Sequence, residues 1–169
     1  KTPSTSSSTP SEANVVVHVP EDCNTLDEAV KRVHEDGRLT TIVLGKGEHL
    51  IDKNLQICSA MSIVGQPDVP KEKIVVLGAI TFMKGIQGKC HLQHLLLRSE
   101  FHGVTGVSSF SVQDAIVERC ELSGVRAIGA GVVGKCTNVE VRQCEGSGVM
   151  AVGGGSIILI GAKTTVHHN

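Results

Sequence analysis

The feature that most constrains the fold of this chain is an internal repeat. The segment VERCELSGVRAIGAG (117–131) recurs as VRQCEGSGVMAVGGG (141–155), with nine of fifteen residues identical at a spacing of 24 residues. Short β-branched runs punctuated by glycine at a fixed period in the low twenties are typical of a β-solenoid, because each coil must bury its faces against its neighbours. The repeat therefore predicts stacked coils of parallel strands.

An earlier segment extends the same pattern. LLRSEFHGV (96–104) aligns with VERCELSGV (117–125) at a spacing of 21 residues. This alignment predicts that three glycines stack at one corner of the solenoid: Gly103, Gly124 and Gly148. The positions four residues earlier form a column, Ser99, Cys120 and Cys144. The positions that follow form a column of carboxylates, Glu100, Glu121 and Glu145, about 4.8 Å apart if each coil advances by one strand spacing.

The chain before the repeats predicts a polar tail and one helix. Residues 1–13 are rich in Ser, Thr and Pro, a composition typical of a disordered tail or linker. Thr25 and Glu28 form a capping box in which the threonine hydroxyl accepts from the third helical amide and Glu28 reaches back to the Thr25 amide. We expect a helix at about 25–36. Its apolar face suits a cap on the end of the solenoid core, and it consists of Leu26, Ala29, Val30 and Val33.

From residue 41 onward the pattern contains short strands and no further helix. Apolar runs such as 41–45, 49–51, 55–57, 62–65 and 74–78 alternate with Gly, Asp, Asn and Pro turns. We therefore predict an all-β fold, a parallel β-helix of roughly six or seven coils, in a single domain over 14–169. An immunoglobulin-type sandwich is the rival fold, and the repeat period counts against it.

Composition limits the classes of partner. The 16 basic and 17 acidic residues nearly cancel, so neither nucleic acid nor an anionic membrane is expected as a partner. No apolar stretch is long enough to span a bilayer. The six cysteines include no CxxC pair, which disfavours a zinc ribbon or a redox motif, and we expect free, mostly buried thiols.

The repeat resembles a known group of proteins. The GV corner, the cysteine column and the GKC segments at 88–90 and 134–136 resemble the right-handed parallel β-helix superfamily typified by pectate lyases, and short-coil β-helix repeats of carbohydrate-binding and protein-binding modules. The resemblance implies a right-handed solenoid. Pectate lyases use an aspartate cluster for calcium and an arginine base, but Asp114 is the only aspartate after Asp68. The aspartate pairs of β-helix glycosidases are also missing from the repeats.

Charged residues beside the corner are the candidate ligand-binding site. The predicted set is Arg98, Glu100, Arg119, Glu121, Arg142 and Glu145. One interpretation is a surface ladder of mutually neutralising charges that contributes little. The functional interpretation is a polar groove for a sugar or an acidic group, because arginines beside carboxylates suit uronic acids and hydroxyls.

The register also predicts a small apolar patch. Aligning Leu96 with Val117 and Val141 as inward residues leaves three apolar side chains facing outward, a candidate protein-interaction patch: Leu95, Leu97 and Ile116. The same register points His94 inward, level with Ala115, where a backbone carbonyl would satisfy the ring.

No metal or cofactor is expected. Neighbours such as His167 and His168, or Cys90 and His91, face opposite sides of a strand and cannot easily hold one ion.

Two classes of function remain open. The first is a non-catalytic binding or structural module that presents a surface to a polysaccharide or a protein. The alternative is the N-terminal part of a polysaccharide lyase or glycoside hydrolase whose catalytic residues lie outside these 169 residues. The sequence stops at Val166-His-His-Asn169, in mid-pattern, so we expect a C-terminally truncated solenoid that self-associates through its uncapped end.

Overall fold

The computed structural model describes residues 15–169. These residues form an all-parallel β-solenoid of about six turns with one helix near the N-terminus, as the sequence predicts. The predicted tail, 1–13, lies outside the described residues.

The elements follow one another in short steps along the chain. The first half contains β1 (Val16–Val19), α1 (Leu26–Glu35), β2 (Thr41–Leu44), β3 (Gly47–Ile57), β4 (Met61–Gly65), β5 (Ile74–Phe82), β6 (Cys90–Gln93), β7 (Leu96–Ser99) and β8 (Val104–Gly106). The second half contains β9 (Phe110–Gln113), β10 (Ile116–Cys120), β11 (Val125–Ile128), β12 (Val133–Thr137), β13 (Glu140–Arg142), β14 (Val149–Val152), β15 (Ser156–Ile160) and β16 (Thr165–His167).

The strands make three faces. Face A consists of β1, β2, β4, β6, β9, β12 and β15, hydrogen-bonded in that order. The long strand β5 pairs with β7 through Val75–Leu77 and with β8 through Ile80–Phe82, so it turns a corner of the coil. Face B therefore contains the first parts of β3 and β5 with β7, β10, β13 and β16. Face C contains their second parts with β8, β11 and β14.

The core consists of stacked apolar columns, one residue from each coil. One inward column of face A joins directly paired residues: Val17, Ile42, Ile63, Leu92, Val112, Cys136 and Leu159. All but the last are buried. Branched and small side chains fill these columns because each occupies the space above its counterpart on the preceding coil.

The helix caps the first coils. The predicted apolar face, Leu26, Ala29, Val30 and Val33, is buried in the core, and α1 packs against β1, β2 and β3. The Thr25 hydroxyl accepts from the Glu28 amide at 3.2 Å, as predicted. Glu28 differs from the prediction, since its carboxylate accepts from the Asn24 amide at 3.0 Å. The reciprocal hydrogen bond of the capping box thus comes from the amide of Asn24, one residue before Thr25.

The stacked corner predicted from the repeat is present. The amides of Gly103 and Gly124 donate to the carbonyls of Ser123 and Ser147 on the next coil. A Cβ on Gly124 would lie 2.7 Å from the Gly148 carbonyl oxygen and 3.1 Å from the sulfur of Cys144. Only glycine leaves room at this corner for the backbone carbonyl of the next coil.

The register of the strand before that corner differs from the prediction by one residue. Leu96 pairs with Ile116 and Leu97 with Val117, whereas Ser99 pairs with Cys120 as predicted. The extra residue is absorbed at Arg119, whose φ is +51°. Between these two coils, paired strand residues are therefore 20 positions apart in the sequence, whereas corner residues are 21 positions apart.

The predicted outward patch is wrong for this reason. Leu95 and Leu97 belong to the core and are 1% and 0% exposed. Ile116 faces outward beside Leu96 but is only 5% exposed. A shift of one residue exchanges the two faces of a strand, so an alignment anchored on the corner assigns the side chains of β7, but not those of β10, to the opposite faces.

All six cysteines are free thiols, as predicted, and four of them are buried: Cys90, Cys120, Cys136 and Cys144.

The last coil follows the predicted alignment. Val166 pairs with Val141 and His167 with Arg142, after one inserted residue. The Asn169 side-chain oxygen accepts from the Cys144 amide at 3.0 Å, which continues the cysteine column. Apolar side chains of β15 are about half exposed, including Ile158 and Leu159.

Candidate functional site

Unequal corners between faces B and C create a groove. Strands β3 and β5 pair one to one on either side of an irregular corner. At this corner β3 has three residues, Ile51–Lys53, whereas β5 has only Gly78. On the other side, five residues (99–103) stand opposite Gly78 and Ala79. Both longer corners protrude past the short one, so a groove of about 720 Å³ opens between them.

Gly78 forms the floor of this groove and keeps the corner short. Its φ is +133°, and a Cβ there would lie 2.7 Å from the Cβ of Ile51. A side chain would thus be strained by the backbone and blocked by the neighbouring coil.

The walls combine charged and apolar side chains. The first wall includes Leu50, which is 72% exposed, with Asp52 and Lys53. The opposite wall includes Phe101, which is 48% exposed. The Phe101 amide donates to the Ser99 hydroxyl at 3.0 Å, which fixes the start of this loop.

Four of the six predicted ligand-binding residues line the groove: Arg98, Glu100, Arg119 and Glu121. Arg142 and Glu145, one coil further along, are not among its lining residues. The three predicted glutamates are all exposed, and each lies three residues before a glycine of the stacked corner.

The arginines do not neutralise those glutamates as the ladder interpretation expected. Arg98 and Arg142 bind Glu118 instead, a residue that the sequence analysis did not single out. Arg119 Nε donates to the Gln143 side-chain oxygen at 3.4 Å. Arg98 places two nitrogens 2.7–2.8 Å from Glu118 Oε1, and Arg142 places two nitrogens 2.7 Å from Glu118 Oε2. The Glu118 side chain is only 4% exposed. Burial alone would raise the pKa of this carboxyl, but the two guanidinium groups hold it below its ordinary value.

The network continues toward the last coil. Arg142 also donates to Glu140 at 3.0 Å, and His167 Nε2 lies 3.0 Å from the same carboxylate oxygen. The outward residues of face B therefore form a ladder of alternating charge, which holds Arg98 in a fixed position at the edge of the groove.

His94 lies at a corner, level with Asp114, and not inside the core beside Ala115. Its Nε2 lies 2.7 Å from the Val69 carbonyl oxygen, the type of partner predicted, and its Nδ1 lies 3.2 Å from Asp114. Lys71 also binds Asp114, at 2.7 Å. Burial opposes ionisation of Asp114, yet hydrogen bonds from Lys71 and His94 lower the pKa of this carboxyl. These contacts fasten the 66–73 loop to the stack.

Two aspartates in the groove were missed by the sequence analysis. Asp27 extends from the first turn of α1 and Asp52 from the protruding part of β3. Burial, followed by repulsion from Asp52, raises the pKa of the Asp27 carboxyl. The repeats alone contain no such carboxylate pair, because this pair joins the helical cap to a coil. The polar triplet Asp52–Asn54 between two apolar runs was the available signal.

Neither a membrane helix nor a metal cluster occurs in the part of the chain that the structure describes. None of the helical segments in 15–169 is both long and apolar enough to cross a membrane. No three His, Cys, Asp or Glu side chains within the same range are grouped so that they could hold a metal ion.

The fold defines the chain as a parallel β-solenoid. Comparison with known proteins gives no closer relation: no family model, no curated protein and no solved structure matches the chain.

Proposed function

We propose that this protein is a non-catalytic binding module that holds a polysaccharide in the groove above Gly78. The observation that carries the proposal is the composition of the groove: cations, carboxylates and an exposed aromatic ring around one open cleft. Carboxylates and guanidinium groups bind sugar hydroxyls through directional hydrogen bonds, while the face of Phe101 offers an apolar surface for a sugar ring.

The shape of the groove also suits a polymer. Apart from Asp27 of α1, the lining residues come from β3, β5, β7 and β10 and from the loops that follow β7 and β10. These four neighbouring coils span about 15 Å at about 4.8 Å per coil. The resemblance of the repeat to the pectate lyase-like group adds support, because members of that group act on polysaccharides.

Recognition of a protein partner has less support. That alternative depended on the apolar patch of Leu95, Leu97 and Ile116, and these side chains are buried.

The proposal is tested by measuring binding of the protein to a glycan array, followed by calorimetry with the glycans that bind. Phe101→Ala and Arg119→Ala should each weaken binding about tenfold, equivalent to about 1.4 kcal/mol. Both side chains are exposed, so neither change should unfold the protein. Lys135→Ala, which removes an exposed charge from face A, is the matched control. Absence of any glycan ligand, or equal binding by all variants, would contradict the proposal.

One observation favours hydrolysis as a second candidate function. Asp27 and Asp52 line the same groove, and the pKa of Asp27 is raised by burial and by Asp52. A carboxyl group with a raised pKa beside a second carboxylate is the arrangement that glycosidases use for acid and base catalysis. Release of reducing ends from a bound glycan, lost in both Asp27→Asn and Asp52→Asn, would replace the binding module with an enzyme. Binding without turnover would eliminate this candidate.

A further inference from the structure

A second, smaller pocket adjoins the groove on face C. Its volume is about 280 Å³, and it shares Lys53 and Phe101 with the groove. The other lining residues are Asn54, Ala79, Thr81, His102, Thr105 and Arg126. We name it the cationic pocket, because three lining side chains are basic residue types and none is a carboxylate.

Arg126 is the central feature of the cationic pocket. It belongs to β11 and stacks between Thr105 of β8 and Met150 of β14. Its Nε is buried and has no hydrogen-bond partner among the described residues. Burial lowers the pKa of this guanidinium, since the charge is partly removed from water. A buried donor without a partner destabilises a fold. The Arg126 side chain as a whole is only partly buried and lines the pocket.

His102 supplies a second donor to the cationic pocket. Its Nδ1 accepts from the Ser123 amide at 3.1 Å, so the proton of a neutral ring lies on Nε2. Burial, and then the nearby Arg126, lower the pKa of His102. The ring is thus neutral near pH 7, with Nε2 as a donor, and its titration responds to the positive potential of this pocket.

We propose that the cationic pocket binds an anionic oxygen group, a carboxylate or a sulfate, through Arg126, His102 and Lys53. Such a group would offer hydrogen-bond acceptors to the Arg126 guanidinium and neutralise a pocket whose lining includes no carboxylate. Lys53 and Phe101 line both the cationic pocket and the groove. We therefore assign this anionic group to the polysaccharide in the groove, an assignment that rests on the proposed function. The ligand is then an acidic glycan.

The pocket itself is tested with sodium acetate and sodium sulfate as probes, independently of any glycan. The Nε–Hε resonance of Arg126 should shift saturably on titration with at least one of these anions at constant ionic strength. Arg38, which is exposed and paired with Asp36, gives a control resonance that should not follow the same curve. A saturable shift only at Arg126, absent in Arg126→Gln, supports the proposal. A shift shared by Arg38, or no shift with either anion, overturns it.

The second arm compares oligogalacturonate with its methyl ester, a pair that differs in charge but not in backbone. The unmodified protein should prefer the acid, and Arg126→Gln should lose about tenfold in affinity for the acid while binding the ester unchanged. Equal affinity for both glycans, unaffected by Arg126→Gln, overturns the assignment to an acidic glycan while the proposed function survives. Binding of acetate or sulfate without binding of any glycan supports the anion site but overturns both the proposed function and the assignment to an acidic glycan. A thermal melt of Arg126→Gln confirms that this variant is folded.

Discussion

Replacing Glu118 with glutamine should reveal how strongly the charge ladder of face B stabilises the fold. The change keeps the size and shape of the side chain but removes the negative charge between Arg98 and Arg142. The two guanidinium groups would then repel each other across a side chain that is 4% exposed.

The magnitude lies between two limits. Removing one partner of a fully buried ion pair costs about 3–5 kcal/mol, while exposed pairs contribute about 0–1 kcal/mol. Glu118 is buried, but the Arg98 and Arg142 side chains are 37% and 32% exposed and remain partly hydrated. We therefore expect Glu118→Gln to lower the free energy of unfolding by about 2–3 kcal/mol. Glu121→Gln, at an exposed carboxylate, should change it by less than about 0.5 kcal/mol.

The pH dependence gives a further check on the same residue. The pKa of Glu118 is lower in the folded protein than its ordinary value. The stabilisation of the fold by the ionised Glu118 carboxylate is therefore fully present above the ordinary glutamate pKa, near pH 4.5. This stabilisation is lost as the pH falls through the lower pKa of Glu118 in the folded protein. Urea unfolding between pH 3 and pH 7 measures the difference between the protein and Glu118→Gln. A difference below about 0.5 kcal/mol at pH 7, or one that grows as the pH falls, would refute this reasoning.

Three further predictions concern the corner, the thiols and the last coil. Gly124→Ala should lower the free energy of unfolding by about 1–3 kcal/mol in chemical denaturation, because its Cβ would meet a backbone carbonyl. Gly37→Ala, where a Cβ has open space, should leave the free energy of unfolding unchanged, and equal losses in both variants would exclude the stacked corner as the cause. Iodoacetamide should label exposed Cys58 in the native protein and Cys136 only after denaturation, because burial raises the pKa of Cys136 to about 12; early labelling of Cys136 in a mass spectrum would contradict its burial. The 169-residue chain should self-associate in sedimentation experiments through the exposed apolar side chains of β15, and Ile158→Lys should reduce this association; monomers in both samples would count against it.

The sequence predicted the architecture because the repeat and the core columns have the same physical origin. Identical residues recur where a side chain must fit over its counterpart, as at Gly124 and Cys120. The capping helix was predictable for a similar reason, since the Thr25 cap and the apolar face of α1 are local features.

The groove was only partly predictable, because it depends on differences between coils. Arg98 and Arg119 could be placed near the corner, but their partners depend on the one-residue bulge at Arg119, which the glycine alignment conceals. Asp27 and Asp52 meet only when the helix docks on β3. A repeat alignment detects what the coils share, whereas a groove of this type arises from what they do not share.

The bulge at Arg119 has a consequence for how such a protein changes. Strand residues and corner residues keep their own columns on either side of the bulge, so the corner takes up an extra residue while the stack below it stays in register. Insertions and deletions at 52–53 or 100–102 should therefore be tolerated where substitutions in the columns are not. Diversity in length at these two segments would reshape the ligand cleft on an unchanged scaffold, which makes them the natural sites for a library of new binding specificities.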